Sequence, residues 1–218
     1  YANGLKNMTK FFAKVKNTTI KILPSDYAYD GKLLSATGQD SLGIMQLKQA
    51  LKLDSTQSDL YAALGEIYYR MKKYPECEQA YRKKISLGQA NANDYNTIGI
   101  ACYQNQDYEQ CDSAFAEITR VIPNWAPAYM WRARANAQLD PDSKQGRAKP
   151  FYEQYIQKAA SDSIRNKNGL IEAYAYLGYY YALQKDHANA TIYWGKVRDL
   201  DPTNVQQKAY FKRLEHKK

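Results

Sequence analysis

The chain has 218 residues, of which 44% are hydrophobic and 24% are charged, and its formal net charge is +9. This composition is that of an ordinary folded protein, and it excludes collagen-like, low-complexity and disordered chains. No stretch of the sequence approaches the roughly 18 apolar residues of a membrane-spanning helix. No signal peptide is visible, and the sequence opens on Tyr1 rather than on methionine.

The excess positive charge lies at the two ends of the chain. Residues 1–24 contain five lysines and no acidic residue, and residues 205–218 contain five basic residues and one acid. These two segments account for the whole net charge, so the segment between them has a net charge of zero. A nucleic-acid-binding protein carries a basic stripe along one face. The distribution therefore favours solvated terminal helices over a surface that binds phosphate groups.

Four tyrosines stand 34 residues apart, and each is followed four residues later by glycine or alanine. The tyrosines are Tyr27, Tyr61, Tyr95 and Tyr129, and the small residues are Gly31, Gly65, Gly99 and Ala133. A fifth copy, Tyr174 with Gly178, follows after 45 residues. Such a fixed period predicts an array of helix-turn-helix repeats.

Within one period the pattern resembles the tetratricopeptide repeat (TPR), in which a first helix A is followed by an antiparallel helix B. Tyr61, Gly65, Tyr68, Cys77 and Tyr81 occupy its positions 4, 8, 11, 20 and 24 in the second repeat. Small residues at positions 8 and 20 let the two helices approach, and the large residues fill the space around that contact. The resemblance implies an all-α fold, a right-handed α-solenoid of antiparallel helix pairs.

The repeat frame divides residues 1–218, taken as a single solenoid domain, into seven parts in chain order. They are helix B of a truncated preceding repeat (1–23), five repeats (24–57, 58–91, 92–125, 126–170 and 171–204) and a C-terminal capping helix (205–218). A cap is expected because an end repeat has no neighbour to cover its apolar side. Because the frame begins in the middle of a repeat, we expect the chain to be the C-terminal part of a longer repeat protein.

The fourth repeat departs from the period. The step from Ala133 to Gly178 is 45 residues, eleven more than the period. Three extra residues are expected in the loop after helix A, within residues 140–147, and eight after helix B, around residues 161–169. Insertions in repeat arrays usually form loops.

The sequence offers no catalytic constellation, metal site or cofactor motif. The two histidines, His187 and His216, do not share a metal-ligand spacing, and His187 is expected to pack at the start of a helix B. The three cysteines fall at positions for small or medium residues and are expected to be buried thiols. They are Cys77, Cys102 and Cys111; a disulfide between the last two is the alternative. We therefore predict that the chain is not an enzyme.

The resemblance implies that helix A positions 2, 5, 9, 12 and 13 line the inner groove of the solenoid. In the fifth repeat these are Glu172, Ala175, Tyr179, Ala182 and Leu183. Across the chain the candidate groove residues are Glu66, Tyr69, Arg70, Asn96, Ile100, Tyr103, Gln104, Met130, Arg134 and Tyr179. Aromatic and arginine side chains are the usual anchors of protein interfaces.

These features predict a non-catalytic scaffold that binds a peptide or a partner protein in the concave groove. Self-association through the truncated N-terminal end is a second kind of contact, and no nucleic-acid partner is expected. Two alternatives remain open: binding of an anionic surface or a nucleic acid through the basic terminal helices, and a regulatory role within a larger enzyme. The resemblance, which is to a group of bacterial TPR proteins of which many are exported, favours a periplasmic or exported location over a cytoplasmic one.

Overall fold

The computed structural model describes residues 1–16, 18–88 and 90–215, and the regular elements in these ranges are all helical. The α-helices are α1 (Ala2–Val15), α2 (Pro24–Ala36), α3 (Asp40–Leu53), α4 (Ser58–Arg70), α5 (Tyr74–Ser86), α6 (Ala92–Gln104), α7 (Tyr108–Val121), α8 (Ala126–Leu139), α9 (Lys149–Ala159), α10 (Lys167–Leu183), α11 (His187–Leu200) and α12 (Val205–Glu215). A short 3₁₀ helix, Ala160–Asp162, follows α9. His216 and the last two lysines of the predicted basic tail lie outside the described residues.

The helices form two compact units, Tyr1–Asn105 and Gln106–Lys218. In the first unit α1 packs on α2, α2 on α3, α4 on α5, and α5 on α6. In the second unit α7 packs on α8, α8 on α9, α9 on α10, α10 on α11, and α11 on α12. The predicted all-α class of repeated helix pairs is confirmed. The single domain and its repeat boundaries stay a prediction.

Each turn between helix A and helix B of the repeat frame contains a residue with a left-handed backbone whose position follows the frame; the turn between α8 and α9 also contains Gly146 (φ 66°). The residues that follow the frame are Gly38 (φ 81°), Lys72 (φ 59°), Gln106 (φ 63°), Ser143 (φ 52°) and Lys185 (φ 61°). The first three stand 34 residues apart, and Ser143 lies three residues beyond the next position that the period predicts. Lys185 lies eight residues beyond the position that is 34 residues after Ser143. The spacing of the turn residues therefore differs from the 34-residue period by three and then by eight residues, the lengths of the two predicted insertions.

The two insertions are accommodated differently. The first forms an irregular segment between α8 and α9, as expected. The second is partly helical, because a 3₁₀ turn follows α9 and α10 already begins at Lys167, four residues ahead of the predicted repeat start. The expectation of a loop there was wrong in part. The additional turn of α10 carries Leu170, which is only 2% exposed, so helix formation buries an apolar side chain that a loop would leave in water.

Close contact between helices explains the small residues of the repeat pattern. A Cβ atom on Gly31 of α2 would lie 3.0 Å from the carbonyl oxygen of Gly43 and 2.8 Å from Cγ of Leu47, both on α3. A side chain at Gly31 would therefore push the two helices apart. In the second and third repeats Cys77 and Cys111 take the place of Gly43, and both are fully buried.

The three cysteines are buried free thiols, as predicted. Burial raises the pKa of both Cys77 and Cys111 to about 12. The prediction for His187 was wrong, because its side chain is exposed at the first residue of α11. Asp186 instead caps this helix, its carboxylate accepting a hydrogen bond from the Asn189 N–H at 3.1 Å.

Candidate binding sites on the helix A faces

The predicted groove residues of the fifth repeat come together in the second unit. Five α10 side chains line one open cleft of about 670 Å³, which we call the α10–α12 cleft. They are Glu172, Ala175, Tyr179, Ala182 and Leu183. A volume of this size lies within the range of small-ligand and side-chain pockets, roughly 300–1,000 Å³.

The opposite wall of the α10–α12 cleft comes from α12. Gln206, Ala209, Tyr210 and Arg213 line it, and their spacing of three and four residues places them on one face of the helix. Trp194 of α11 lies between the two walls. Sequence reasoning missed these residues because α12 lies outside the repeat frame. The signal that could have found them is the single helix face shared by the four α12 residues.

Side-chain contacts hold α12 in place against α11. The rings of Trp194 and Tyr210 stack with their centroids 6.0 Å apart. The Tyr210 hydroxyl lies 3.0 Å from the Thr191 hydroxyl oxygen, within hydrogen-bonding distance. The Arg198 guanidinium lies 4.7 Å from the ring centroid of Phe211. These contacts attach the α12 wall to α11 through the rings of Tyr210 and Phe211.

An ion pair lies at the α8 end of the cleft. The Arg134 guanidinium donates two hydrogen bonds to the Glu172 carboxylate, at 2.8 and 2.6 Å. The Tyr152 hydroxyl donates a third to the same carboxylate at 3.2 Å. Burial and the neighbouring Glu172 carboxylate raise the pKa of Tyr152 well above its usual value. Arg134 was predicted as a groove residue; the structure shows it engaged by Glu172, with its guanidinium also 5.2 Å from the Trp131 ring centroid.

Met130 does not belong to an exposed groove surface. It is 5% exposed and lies in the core of the second unit with Tyr155, Ala159 and Leu170. Its placement in the groove was therefore wrong. The extra turn of α10 contributes Leu170 to this core, and a large apolar side chain is more stable there than in water.

The first unit has a smaller and more polar groove of about 380 Å³ between α2 and α4, which we call the α2–α4 groove. Lys32, Ser35, Asp59, Ala62, Glu66 and Arg70 are among its lining residues. Two of the predicted residues, Glu66 and Arg70, therefore lie on it.

Three of the charged side chains that line the α2–α4 groove form ion pairs. The Lys32 ammonium lies 2.9 Å from the Asp59 carboxylate. The Arg70 guanidinium donates to the Ser35 hydroxyl at 2.6 Å and pairs with the Asp40 carboxylate. Hydrogen bonding to Arg70 lowers the pKa of Asp40 below its usual value. This groove offers less apolar surface than the α10–α12 cleft.

The remaining predicted residues of the first unit line neither of these two sites. Tyr69 is 37% exposed, and its ring meets that of Tyr74 edge-on at 5.8 Å. On α6 the side chain of Gln104 is exposed, and three others are half-buried: Asn96, Ile100 and Tyr103. Their role in a groove stays a prediction.

The described part of the chain contains no group of three or more His, Cys, Asp or Glu side chains placed to bind a metal ion. None of its helices combines the length and the apolar character that a membrane span requires.

Comparison with known proteins identifies the family. No protein-family model matches the sequence, and no curated protein matches it. Among solved structures, the C-terminal part of a TPR repeat-containing protein from Cytophaga hutchinsonii is 37% identical, covering 94% of this chain and 79% of its own, with a TM-score of 0.78.

Two more distant structures share the fold. YrrB, described as a TPR protein with an unusual peptide-binding site, is 17% identical, covering 94% of this chain and 97% of its own, with a TM-score of 0.65. A MamA protein is 20% identical, covering 82% of this chain and 92% of its own, with a TM-score of 0.63. The repeated helix pairs, the turn residues that follow the 34-residue period and the similarity to the Cytophaga protein lead to one conclusion: the chain belongs to the TPR repeat proteins.

Proposed function

We propose that the chain is a non-catalytic interaction scaffold that binds a segment of a partner protein on the helix A faces. The observation that carries this proposal is the α10–α12 cleft. All five groove positions of the fifth repeat line it, together with Gln206, Ala209, Tyr210 and Arg213 of α12. Pockets that combine apolar walls with a few polar groups are the usual form of binding sites. The described peptide-binding site of YrrB, a protein of the same fold, supports the choice of a peptide segment.

The shape of the α10–α12 cleft favours a side chain inserted from outside over a small molecule enclosed on all sides. Tyr179 and Leu183 on its α10 wall are 49% and 45% exposed. Exposed aromatic and aliphatic side chains of this kind lose water contact when a partner covers them, and that loss drives association. A partner segment lying along α10 would cover both of these side chains at once.

The proposal is tested with a displayed library of random 12-residue peptides selected on the purified chain. Ala209→Trp places an indole in the cleft from the exposed face of α12. Ala188→Trp makes the same change at an exposed position of α11 that does not line the cleft. Selected peptides should bind the Ala209→Trp variant at least about tenfold more weakly, a loss of about 1.4 kcal/mol. Ala188→Trp should leave binding unchanged.

Equal binding of the selected peptides to the wild type and to both variants would contradict a role for the cleft. Circular dichroism of each variant checks that the helices are retained. The alternative, binding of an anionic surface or a nucleic acid through the basic ends, has a different signature. Its affinity would fall steeply as the salt concentration rises, and it would not respond to Ala209→Trp.

A further inference from the structure

Arg213 differs in its surroundings from the other charged residue of the α10–α12 cleft. Glu172 is compensated by the Arg134 guanidinium and the Tyr152 hydroxyl. Arg213 lines the cleft from α12 and is exposed, and no hydrogen-bond or ion-pair partner for it is found among the described residues. The cleft thus presents one positive group without a partner among the described residues, on a surface that is mostly apolar and aromatic.

Small residues leave the space beside this guanidinium open. Ala175 and Ala182 on α10 and Ala209 on α12 all line the cleft, and Ala209 lies four residues before Arg213 on the same helix. Tyr179 of α10 and Tyr210 of α12 line it as well. An occupant that fills such a space must supply the large apolar group that the three alanines lack, because an unfilled gap forfeits van der Waals contact.

We propose that the occupant of the α10–α12 cleft is a partner segment that carries a large apolar side chain with an Asp or Glu residue beside it. The apolar side chain enters between Tyr179 and Tyr210, and the carboxylate pairs with Arg213. This inference rests on the proposed function and specifies its ligand. Arginine suits this role because its planar guanidinium can donate two parallel hydrogen bonds to one carboxylate.

The position of Arg213 also determines which partners are disfavoured. A basic residue beside the apolar group would bring two like charges together at the rim of the cleft, which weakens binding and slows association. The partner segment is therefore selected by charge through α12, a helix that the repeat frame treats only as a cap. Removing the charge of Arg213 should change which peptides bind while leaving the fold intact.

The test uses pooled, fluorescein-labelled hexapeptides with blocked ends. Each pool has Phe fixed at one position and Glu, Gln or Lys fixed at the next, with the other positions randomised. Binding to the full chain is measured by fluorescence polarisation. The Glu pool should bind about two- to fivefold more tightly than the Gln pool, as expected for a partly exposed ion pair, and the Lys pool should bind most weakly.

Charge reversal supplies the decisive comparison. Arg213→Glu should invert the order, so that the Lys pool binds more tightly than the Glu pool. Lys212→Glu makes the same change of charge one residue away on α12, at an exposed position that does not line the cleft. This control should keep the wild-type order of the three pools.

The outcomes separate this inference from the proposed function. If the pools bind and Ala209→Trp weakens them, but the Glu pool has no advantage or Arg213→Glu leaves the order unchanged, the inference is overturned and the cleft remains a peptide site. If no pool shows binding that Ala209→Trp weakens, both the inference and the peptide-binding role of the cleft are overturned.

Discussion

Replacing Gly178 by alanine tests whether close packing of α10 on α11 determines the repeat pattern. A Cβ atom at this position would lie 2.9 Å from both Cε2 and Nε1 of Trp194 and 3.0 Å from its Cδ1. Real Cβ atoms essentially never come this close to the edge of a ring, and Trp194 is only 5% exposed. The indole must therefore move within a packed environment, a change that costs about 1–3 kcal/mol.

The control is Gly195→Ala on α11, the partner helix of the same pair. A Cβ atom there would meet nothing within 4 Å. Alanine favours the helix over glycine by about 0.8–1 kcal/mol, so this variant should be more stable than the wild type. The same gain applies to Gly178→Ala, and it cancels when the two variants are compared. Their difference in unfolding free energy should be about 1–3 kcal/mol, which is the cost of the contact with Trp194.

Urea unfolding followed by circular dichroism measures this difference. With a typical slope of about 1–3 kcal/mol per molar urea, the two midpoints should differ by about 0.3–3 M. Both glycines lie in the second unit, so the comparison does not depend on whether the two units unfold together. Equal stabilisation by the two substitutions would refute the reasoning.

Three further predictions concern titratable groups. Burial raises the pKa of Asp30, so ionisation of this carboxyl group lowers the free energy of unfolding as the pH rises through that pKa. In urea unfolding at pH 7, Asp30→Asn should therefore be at least as stable as the wild type, and any advantage should disappear below about pH 4. Hydrogen bonding to Arg70 lowers the pKa of Asp40, so Asp40→Asn should cost about 0.5–1 kcal/mol at pH 7. That deficit should shrink as the pH falls below about 4, and a full deficit at pH 3 would contradict the pairing. The Cys77 and Cys111 thiols, with pKa values of about 12, should react with maleimide at neutral pH on the order of a hundredfold more slowly in the folded protein than in urea.

The sequence by itself predicts the helix pairs because their determinants are local and periodic. Gly31 occurs where two helices touch, and the same spacing recurs along the chain. Gly38, Lys72, Gln106 and Lys185 each lie two residues after the end of the preceding helix, whereas Ser143 lies four residues after α8, in the loop that contains the three-residue insertion. The five α10 residues that the periodicity assigns to a groove all line one cleft, and their role in a groove stays a prediction.

The identity of the groove surface was decided by contacts between residues distant in the sequence. Arg134 pairs with Glu172, 38 residues further along, and Met130 is buried against a turn of α10 that an insertion created. The charged wall of the α10–α12 cleft comes from α12, where Arg213 belongs to no repeat position. A repeat frame specifies which face of a helix turns inward, whereas the packing of the neighbouring helices determines which of those side chains stay exposed.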